Sequence, residues 1–162
     1  MKPFFFIPVV AIMSLALWSC KTPETVSGYY QYETECLGNE YDGSQIIKTL
    51  GTGRDRKEAE ANARKNALHD IMFKGLRNGT SDCLSRPLIV KPNAEENNEL
   101  YFRRFFSDGG IYSKFVSLHR EPLLDRNFKS NPRSNSKVAY AMVLKVNVSS
   151  LKSHLIKDQI ID

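Results

Sequence analysis

The stretch that decides the fold is residues 51–78, which read GTGRDRKEAEANARKNALHDIMFKGLRN. Small and apolar residues recur there at every fourth position, and they are Ala59, Ala63, Ala67 and Ile71. Charged residues lie largely opposite, so the spacing predicts an amphipathic helix over 56–78. Asp55 and Glu58 have the spacing of a capping box at its start, and Gly79 is expected to end it. The alanine seam and the glycines of Gly51-Thr52-Gly53 permit this helix to lie close to a sheet.

Strands and shorter helices are predicted on both sides of this helix. Two strands at 29–35 and 44–50, separated by a turn at 38–43, precede it. A second helix is expected from a cap at Asn93 to residue 107, and a last helix from a cap at Ser149 or Ser150 to residue 161. Between them, strands are predicted over 111–120 and 138–148, the latter a central strand because its apolar residues alternate. The order β-β-α-α-β-β-α predicts an α+β fold of two layers, in which helices pack on one face of a mainly antiparallel sheet of about four strands.

The amino terminus has the pattern of an export signal. Lys2 is followed at 4–17 by an almost wholly apolar run, which falls short of the roughly 20 residues that cross a bilayer. The run ends in Leu17-Trp18-Ser19-Cys20, which resembles the lipobox of bacterial lipoproteins. The resemblance implies that residues 1–19 are a signal peptide, that Cys20 is lipidated, that 20–27 are a tether and that 28–162 form the domain.

The residue after Cys20 is Lys21 rather than the Asp that retains lipoproteins in the inner membrane. The lipobox resemblance therefore implies an outer-membrane anchor, with the domain on the periplasmic face. Two other interpretations of the amino terminus stay open. One is an ordinary secretory signal with an incidental cysteine, and the other is a buried apolar helix.

Two further cysteines, Cys36 and Cys83, remain in the exported chain. In an oxidising compartment such a pair is expected to form a disulfide, which would tie the amino-terminal strand region to the segment after the main helix. Two free buried thiols are the alternative. A redox or nucleophilic role lacks a supporting motif such as Cys-x-x-Cys.

The glycine–alanine stretch also resembles a known group of proteins. Gly51-Thr52-Gly53 followed by Glu58-Ala59, Ala63 and Ala67-Leu68 is similar to the signature of small bacterial envelope lipoproteins and of the amino-terminal domain of the flagellar-assembly protein FlgT. The resemblance implies an alanine helix on a small antiparallel sheet, and a structural or assembly role. A phosphate-binding loop is the alternative, but Arg56 stands where its third glycine belongs.

The composition favours one soluble globular domain: 162 residues, 41% hydrophobic and 25% charged. His69, His119 and His154 lack metal-ligand spacing, so neither a metal nor a cofactor is predicted. His69 is interpreted as a surface or packing residue, and Glu95-Glu96 as acids placed at a helix start. The net charge of +5 would suit nucleic acid, but export removes that partner, which leaves anionic lipid, polysaccharide or an acidic protein surface.

These patterns predict a non-enzymatic, lipid-anchored component of a larger envelope apparatus, such as a secretion or motility machine. A long connection at 121–137 is the predicted docking segment for an envelope protein. Its proposed contact residues are Arg126, Phe128, Lys129, Arg133 and Lys137. A flexible hairpin tip is the alternative for this segment. The alternative functions are a glycan- or lipid-binding module that uses Tyr29, Tyr30, Tyr32 and Tyr41, and an envelope enzyme.

Overall fold

The computed structural model describes residues 34–124 and 138–162, all within the unit Gln31–Asp162. Its sheet has five strands in the order β3-β1-β2-β5-β4. The strands are β1 (Glu35–Asn39), β2 (Gln45–Gly53), β3 (Asn78–Gly79), β4 (Val116–Leu124) and β5 (Val138–Val146). Neighbouring strands are antiparallel, except that β3 runs parallel to β1. β5 lies between β2 and β4, as its alternating apolar residues predict.

In the part of the chain that the structure describes, four α-helices accompany the sheet. They are α1 (Arg56–His69), α2 (Ala94–Asn97), α3 (Glu99–Phe105) and α4 (Val148–Lys157). A π-helical turn, Asp70–Lys74, continues α1, and a 3-10 turn, Ile111–Lys114, precedes β4. Within residues 34–124 and 138–162, no helix has the length and apolar character needed to span a bilayer.

The alanine face of α1 lies directly on β2, as the 51–78 stretch predicts. Ala59, Ala63 and Ala67 are completely buried. Gly51 and Gly53 lie beneath this face, where a Cβ atom built on Gly51 would stand 1.9 Å from the carbonyl oxygen of Ala59. The backbone of α1 therefore lies so close to β2 that a side chain on any residue other than glycine at position 51 would clash with it.

One apolar core joins the helices to the sheet. Met142, Leu144 and Val146 alternate along β5 and point to the face that α1 covers, since β-strand side chains alternate between faces. Leu151 and Leu155 of α4 and the aromatic residues of α3 belong to the same cluster. The predicted α+β class, with helices on one face of a mainly antiparallel sheet, is confirmed.

Several predicted boundaries are wrong. α1 and its π turn end at Gly75 rather than Gly79, because Gly75 has a φ of 74°, which turns the chain away. Gly79 instead belongs to β3. β1 continues through Gly38 and Asn39, which the sequence assigns to a turn, and Leu37 forms a bulge in its pairing with β2.

Two predicted helix caps are also wrong. Asn93 has a left-handed backbone with a φ of 53° and makes no capping hydrogen bond, so α2 begins without the expected side-chain cap. The cap of α4 is Asn147, whose side chain accepts a hydrogen bond from the Ser150 amide at 2.8 Å. The Asp55 cap of α1 is confirmed, because its carboxylate accepts from the Glu58 amide at 2.8 Å.

Candidate functional site

A disulfide joins β1 to the irregular stretch after α1. Cys36 and Cys83 are bonded to each other, with their Cα atoms 6.1 Å apart and 47 positions separating them in the sequence. Both residues are buried. The Thr80 amide also donates a hydrogen bond to the Cys36 carbonyl oxygen at 3.0 Å. The bond connects the two segments that the sequence predicted, and it makes both sulfurs structural atoms in this fold.

Most residues of the predicted interaction sites lie outside the described residues. They are Cys20, Tyr29, Tyr30, Tyr32, Arg126, Phe128, Lys129, Arg133 and Lys137. Their roles therefore stay predictions. Tyr41 is described, and it is fully exposed in the turn between β1 and β2.

The π turn carries a compact cluster of ionisable side chains. Nε2 of His69 lies 3.2 Å from a carboxylate oxygen of Glu95, and its Nδ1 lies 4.0 Å from one of Asp70. Asp70 accepts a hydrogen bond from the hydroxyl of Thr34 and pairs with Nζ of Lys74 at 2.8 Å. The cluster therefore links the end of α1 to the start of β1 and to α2. Single π turns are frequent at functional sites, so the end of α1 is a candidate functional site.

Electrostatic contacts alter the protonation of two members of this cluster. The carboxylate of Asp70, and after it that of Glu95, raise the pKa of the His69 imidazole, although partial burial opposes them. Burial alone would raise the pKa of Asp70, but contacts from His69, Lys74 and Thr34 outweigh it and lower that pKa. The contacts with Asp70 and Glu95 thus favour the charged imidazole of His69, and the contacts with His69, Lys74 and Thr34 favour the charged carboxylate of Asp70.

A groove lies beside this cluster. Its volume is about 420 Å³, and it is lined by the end of the π turn, the segment 87–91 and the start of α2. Its larger apolar lining residues are Phe73, Pro87, Ile89 and Val90, and its charged lining residues are Lys91, Glu95 and Glu96. Glu95 belongs both to the groove and to the His69 ion pair.

A second ionic network lies at the other end of the sheet. Nζ of Lys145 is 2.8 Å from a carboxylate oxygen of Asp42 and also contacts Glu40, and Nδ1 of His119 is 3.8 Å from Glu40. The hydrogen bond that Lys145 donates to the Asp42 carboxylate is the main reason that the pKa of Asp42 is lowered to about 2. Because this network links the β1–β2 turn to β4 and β5, we interpret it as a structural contact.

The sequence interpretation missed the groove, although it contains the elements that form it. The apolar run 87–90 and the pair Glu95-Glu96 are visible in the sequence, but neither indicates that the two segments meet. His69 does pack on an aromatic ring, since its centroid lies 4.9 Å from that of Phe73, as the packing interpretation predicts. Its ion pair with Glu95 joins positions 26 residues apart, and no local pattern indicates that contact.

The lining of the groove offers both charge and apolar surface. Among the residues that the structure describes, no group of three or more His, Cys, Asp or Glu side chains is arranged to hold a metal ion. The groove instead presents carboxylates next to aliphatic and aromatic surface. No family model, curated protein or solved structure matches the chain.

Proposed function

We propose that the protein is a non-enzymatic, lipid-anchored component of the cell envelope that acts as a structural or assembly part of a larger apparatus, such as a secretion or motility machine. The observation that carries this proposal is the apolar run 4–17 followed by Leu17-Trp18-Ser19-Cys20. In this proposal Cys20 is acylated, residues 1–19 are removed, and the domain lies on the periplasmic face of the outer membrane.

Two features of the folded domain support this proposal. The Cys36–Cys83 disulfide suits an oxidising compartment such as the periplasm. The close packing of α1 on β2 through Gly51 and Gly53 is the arrangement that the envelope-lipoprotein and FlgT resemblance implies. A small, crosslinked domain on a short tether is well suited to holding a partner at the membrane surface.

The anchor itself would be durable without help from the domain. Each buried methylene of an acyl chain contributes about 0.8 kcal/mol, and two or more chains together give stable attachment. The surface of the domain would then be free to bind a protein. We therefore assign membrane attachment to the acylated Cys20 and partner binding to the folded domain.

Metabolic labelling with a fatty-acid analogue tests the anchor. We expect label on the wild-type protein and none on Cys20→Ala, whereas Ser19→Ala, which keeps a small residue in the lipobox, should still be labelled. Label that persists on Cys20→Ala would contradict the proposal. An exported but unlabelled wild-type protein would indicate an ordinary secretory signal instead.

Capture of the wild-type protein from detergent-solubilised envelopes tests the assembly role. We expect a reproducible envelope partner whose recovery falls as salt is raised, because the four cations within 125–137, which follow the end of β4, would attract an acidic surface. Deleting 125–135 should abolish this capture, and Phe128→Ala should weaken it most among single changes. Recovery of the protein alone would count against the proposal.

A glycan- or lipid-binding module is the second candidate function, and the exposure of Tyr41 favours it. Exposed aromatic rings present an apolar face that carbohydrates and lipids can cover. Binding of envelope polysaccharide that is lost in Tyr41→Ala would support this alternative. Equal binding by the variant and the wild type would remove it.

A further inference from the structure

The sequence contains one Asn-Gly pair, Asn78-Gly79, and the structure places it at an edge of the sheet. The pair forms the whole of β3, and both of its residues are exposed. Among the described strands, β3 has a neighbour on one side only, and that neighbour is β1. So short a strand at an edge opens more readily than the interior strands, because few hydrogen bonds hold it.

The pairing of β3 with β1 requires glycine at position 79. Gly79 has a φ of 101°, and a Cβ atom built on it would stand 1.9 Å from the carbonyl oxygen of Cys36. Any side chain at this position would therefore clash with the backbone of β1. The fold thus places a glycine directly after an exposed asparagine.

A glycine after an asparagine leaves the asparagine side chain open to attack by the backbone. The amide nitrogen of Gly79 can form a bond to Cγ of Asn78, because residue 79 carries no Cβ that would shield that nitrogen. The bond from Cγ to the side-chain nitrogen then breaks, and this nitrogen leaves as ammonia with the proton of the Gly79 amide. Water adds to the resulting succinimide ring and opens it at either carbonyl group. The products are aspartate and isoaspartate, and in isoaspartate the main chain runs through the side-chain carbonyl carbon.

The new carboxylate would lie next to an existing one. β3 pairs with β1 in parallel register, with Asn78 opposite Glu35. Like charges on paired residues of neighbouring strands destabilise the pairing. Glu35 already pairs with Nζ of Lys48 at 3.4 Å, so this ammonium group would face two carboxylates. Isoaspartate also lengthens the main chain by a carbon atom, which shifts Gly79 out of register with β1.

Two contacts hold the chain around β3 to β1. Directly after β3, the Thr80 amide donates a hydrogen bond to the Cys36 carbonyl oxygen at 3.0 Å. Further along the same stretch, Cys83 is bonded to Cys36. The hydrogen bond belongs to the strand pairing and is lost when β3 opens, whereas the disulfide persists and keeps this stretch attached to the fold.

We propose that Asn78 deamidates spontaneously through attack by the amide nitrogen of Gly79, and that the product detaches β3 from β1. The pairing with β1 slows the reaction in the folded domain, because the attack needs a rotation of the main chain at Asn78 that the paired strand resists. The Cys36–Cys83 bond retains the detached stretch afterwards. This inference goes beyond the proposed envelope function and does not depend on lipidation of Cys20.

Peptide mapping by mass spectrometry tests the reaction on the full-length chain, incubated in detergent micelles at mildly alkaline pH. We expect aspartate and isoaspartate to accumulate at Asn78 about tenfold faster than at Asn39, because residue 40 has a Cβ that shields its amide nitrogen. Asn39 is the matched control, since it is also exposed and lies at the end of the neighbouring strand β1. Equal rates at the two positions, or no product at Asn78, would overturn the proposal.

The same mapping in concentrated urea, with the disulfide intact, measures how far the fold slows the reaction. We expect Asn78 to deamidate severalfold faster in urea than in the folded protein, because unfolding removes its pairing with β1. Equal rates in the two solutions would show that β3 does not restrain Asn78, and this would overturn the part of the proposal that assigns the slowing to the strand.

Hydrogen exchange tests the release of β3. We expect exchange at the Thr80 amide to accelerate severalfold in Asn78→Asp, because the acceptor of this amide lies on β1. Asn78→Ser, which removes the side-chain amide without adding a charge, should accelerate it less, and adding Glu35→Gln to Asn78→Asp should restore protection. Unchanged exchange at Thr80 in Asn78→Asp and in the purified isoaspartate form would overturn the release. Loss of protection along β2 as well would show that the modification unfolds the domain, which would overturn it too.

Discussion

Replacing Gly51 by alanine should destabilise the domain, although alanine at an ordinary strand position would do the opposite. The φ of Gly51 lies outside the left-handed region, so the backbone itself accepts alanine. A compatible Gly→Ala change normally stabilises a protein by about 0.4–1 kcal/mol, because the unfolded chain loses freedom. The added Cβ of residue 51, however, would lie 1.9 Å from the carbonyl oxygen of Ala59 and 2.7 Å from the Cβ of Ala63.

The cost follows from how far α1 would have to move. Restoring ordinary contact at 3.4 Å requires the helix backbone to retreat by about 1.5 Å at Ala59. This retreat would open a gap between α1 and β2 along the whole buried face of the helix. The fully buried residues of that face are Ala59, Ala63, Ala67 and Leu68. Overpacking of this kind costs typically about 1–3 kcal/mol and sometimes more. After the gain from the unfolded chain is subtracted, we expect a net loss of about 1–2 kcal/mol.

Urea unfolding followed by circular dichroism measures this loss. Thr52→Ala is the matched control, because its side chain points to the opposite face of β2, and we expect it to change the free energy of unfolding much less. Combining Gly51→Ala with Ala63→Gly removes the contact with the Ala63 Cβ but leaves the clash with the Ala59 carbonyl, so stability should return only in part. A Gly51→Ala protein as stable as the wild type would refute the close approach of α1 to β2.

Three further predictions concern stability. Replacing Cys36 and Cys83 by serine should cost roughly 3–4 kcal/mol by the loop-entropy estimate, and the intact mass before and after reduction checks that the bond is present. Because nearby carboxylates raise the pKa of His69, its charge stabilises the domain below the unfolded pKa of about 6.5, and this contribution is lost as pH rises through the higher folded pKa. In the His69→Gln variant, the free energy of unfolding should therefore depend less on pH in that range. Asp55→Ala and Asn147→Ala should each cost about 1 kcal/mol in urea unfolding, since each side chain caps a helix.

The sequence was informative where a single periodic signal coincided with tertiary packing. The four-residue spacing of alanines identifies α1, and the alternation along 138–146 identifies β5 as an interior strand. The end of α1 was not predictable in the same way. Met72 and Leu76 continue the apolar pattern and are buried, yet the chain turns at Gly75 between them, so burial there does not indicate helix.

The site was less predictable than the fold for a related reason. The export signal that the sequence predicts, together with the two remaining cysteines, is enough to suggest the Cys36–Cys83 bond. The groove, by contrast, arises because the segment 87–91 lies against the end of the π turn, where backbone hydrogen bonds join positions that are distant in the sequence. Such bonds involve main-chain groups that every residue except proline carries, so they leave no trace in the side-chain pattern.

The disulfide and the groove belong to one continuous structural unit, and this has a consequence for reduced protein. Cys83 is followed by Leu84, whose carbonyl accepts from the Leu76 amide at 3.0 Å, and then by the residues whose amides bond to the π turn. Because the disulfide anchors the start of this stretch, its reduction should loosen the floor of the groove before it affects the pairing of β2 with β5. Hydrogen exchange after reduction should therefore accelerate first at Leu88 and Ile89. Simultaneous loss of protection at β2 and at these two residues would show that the groove has no stability of its own and that the disulfide acts on the domain as a whole.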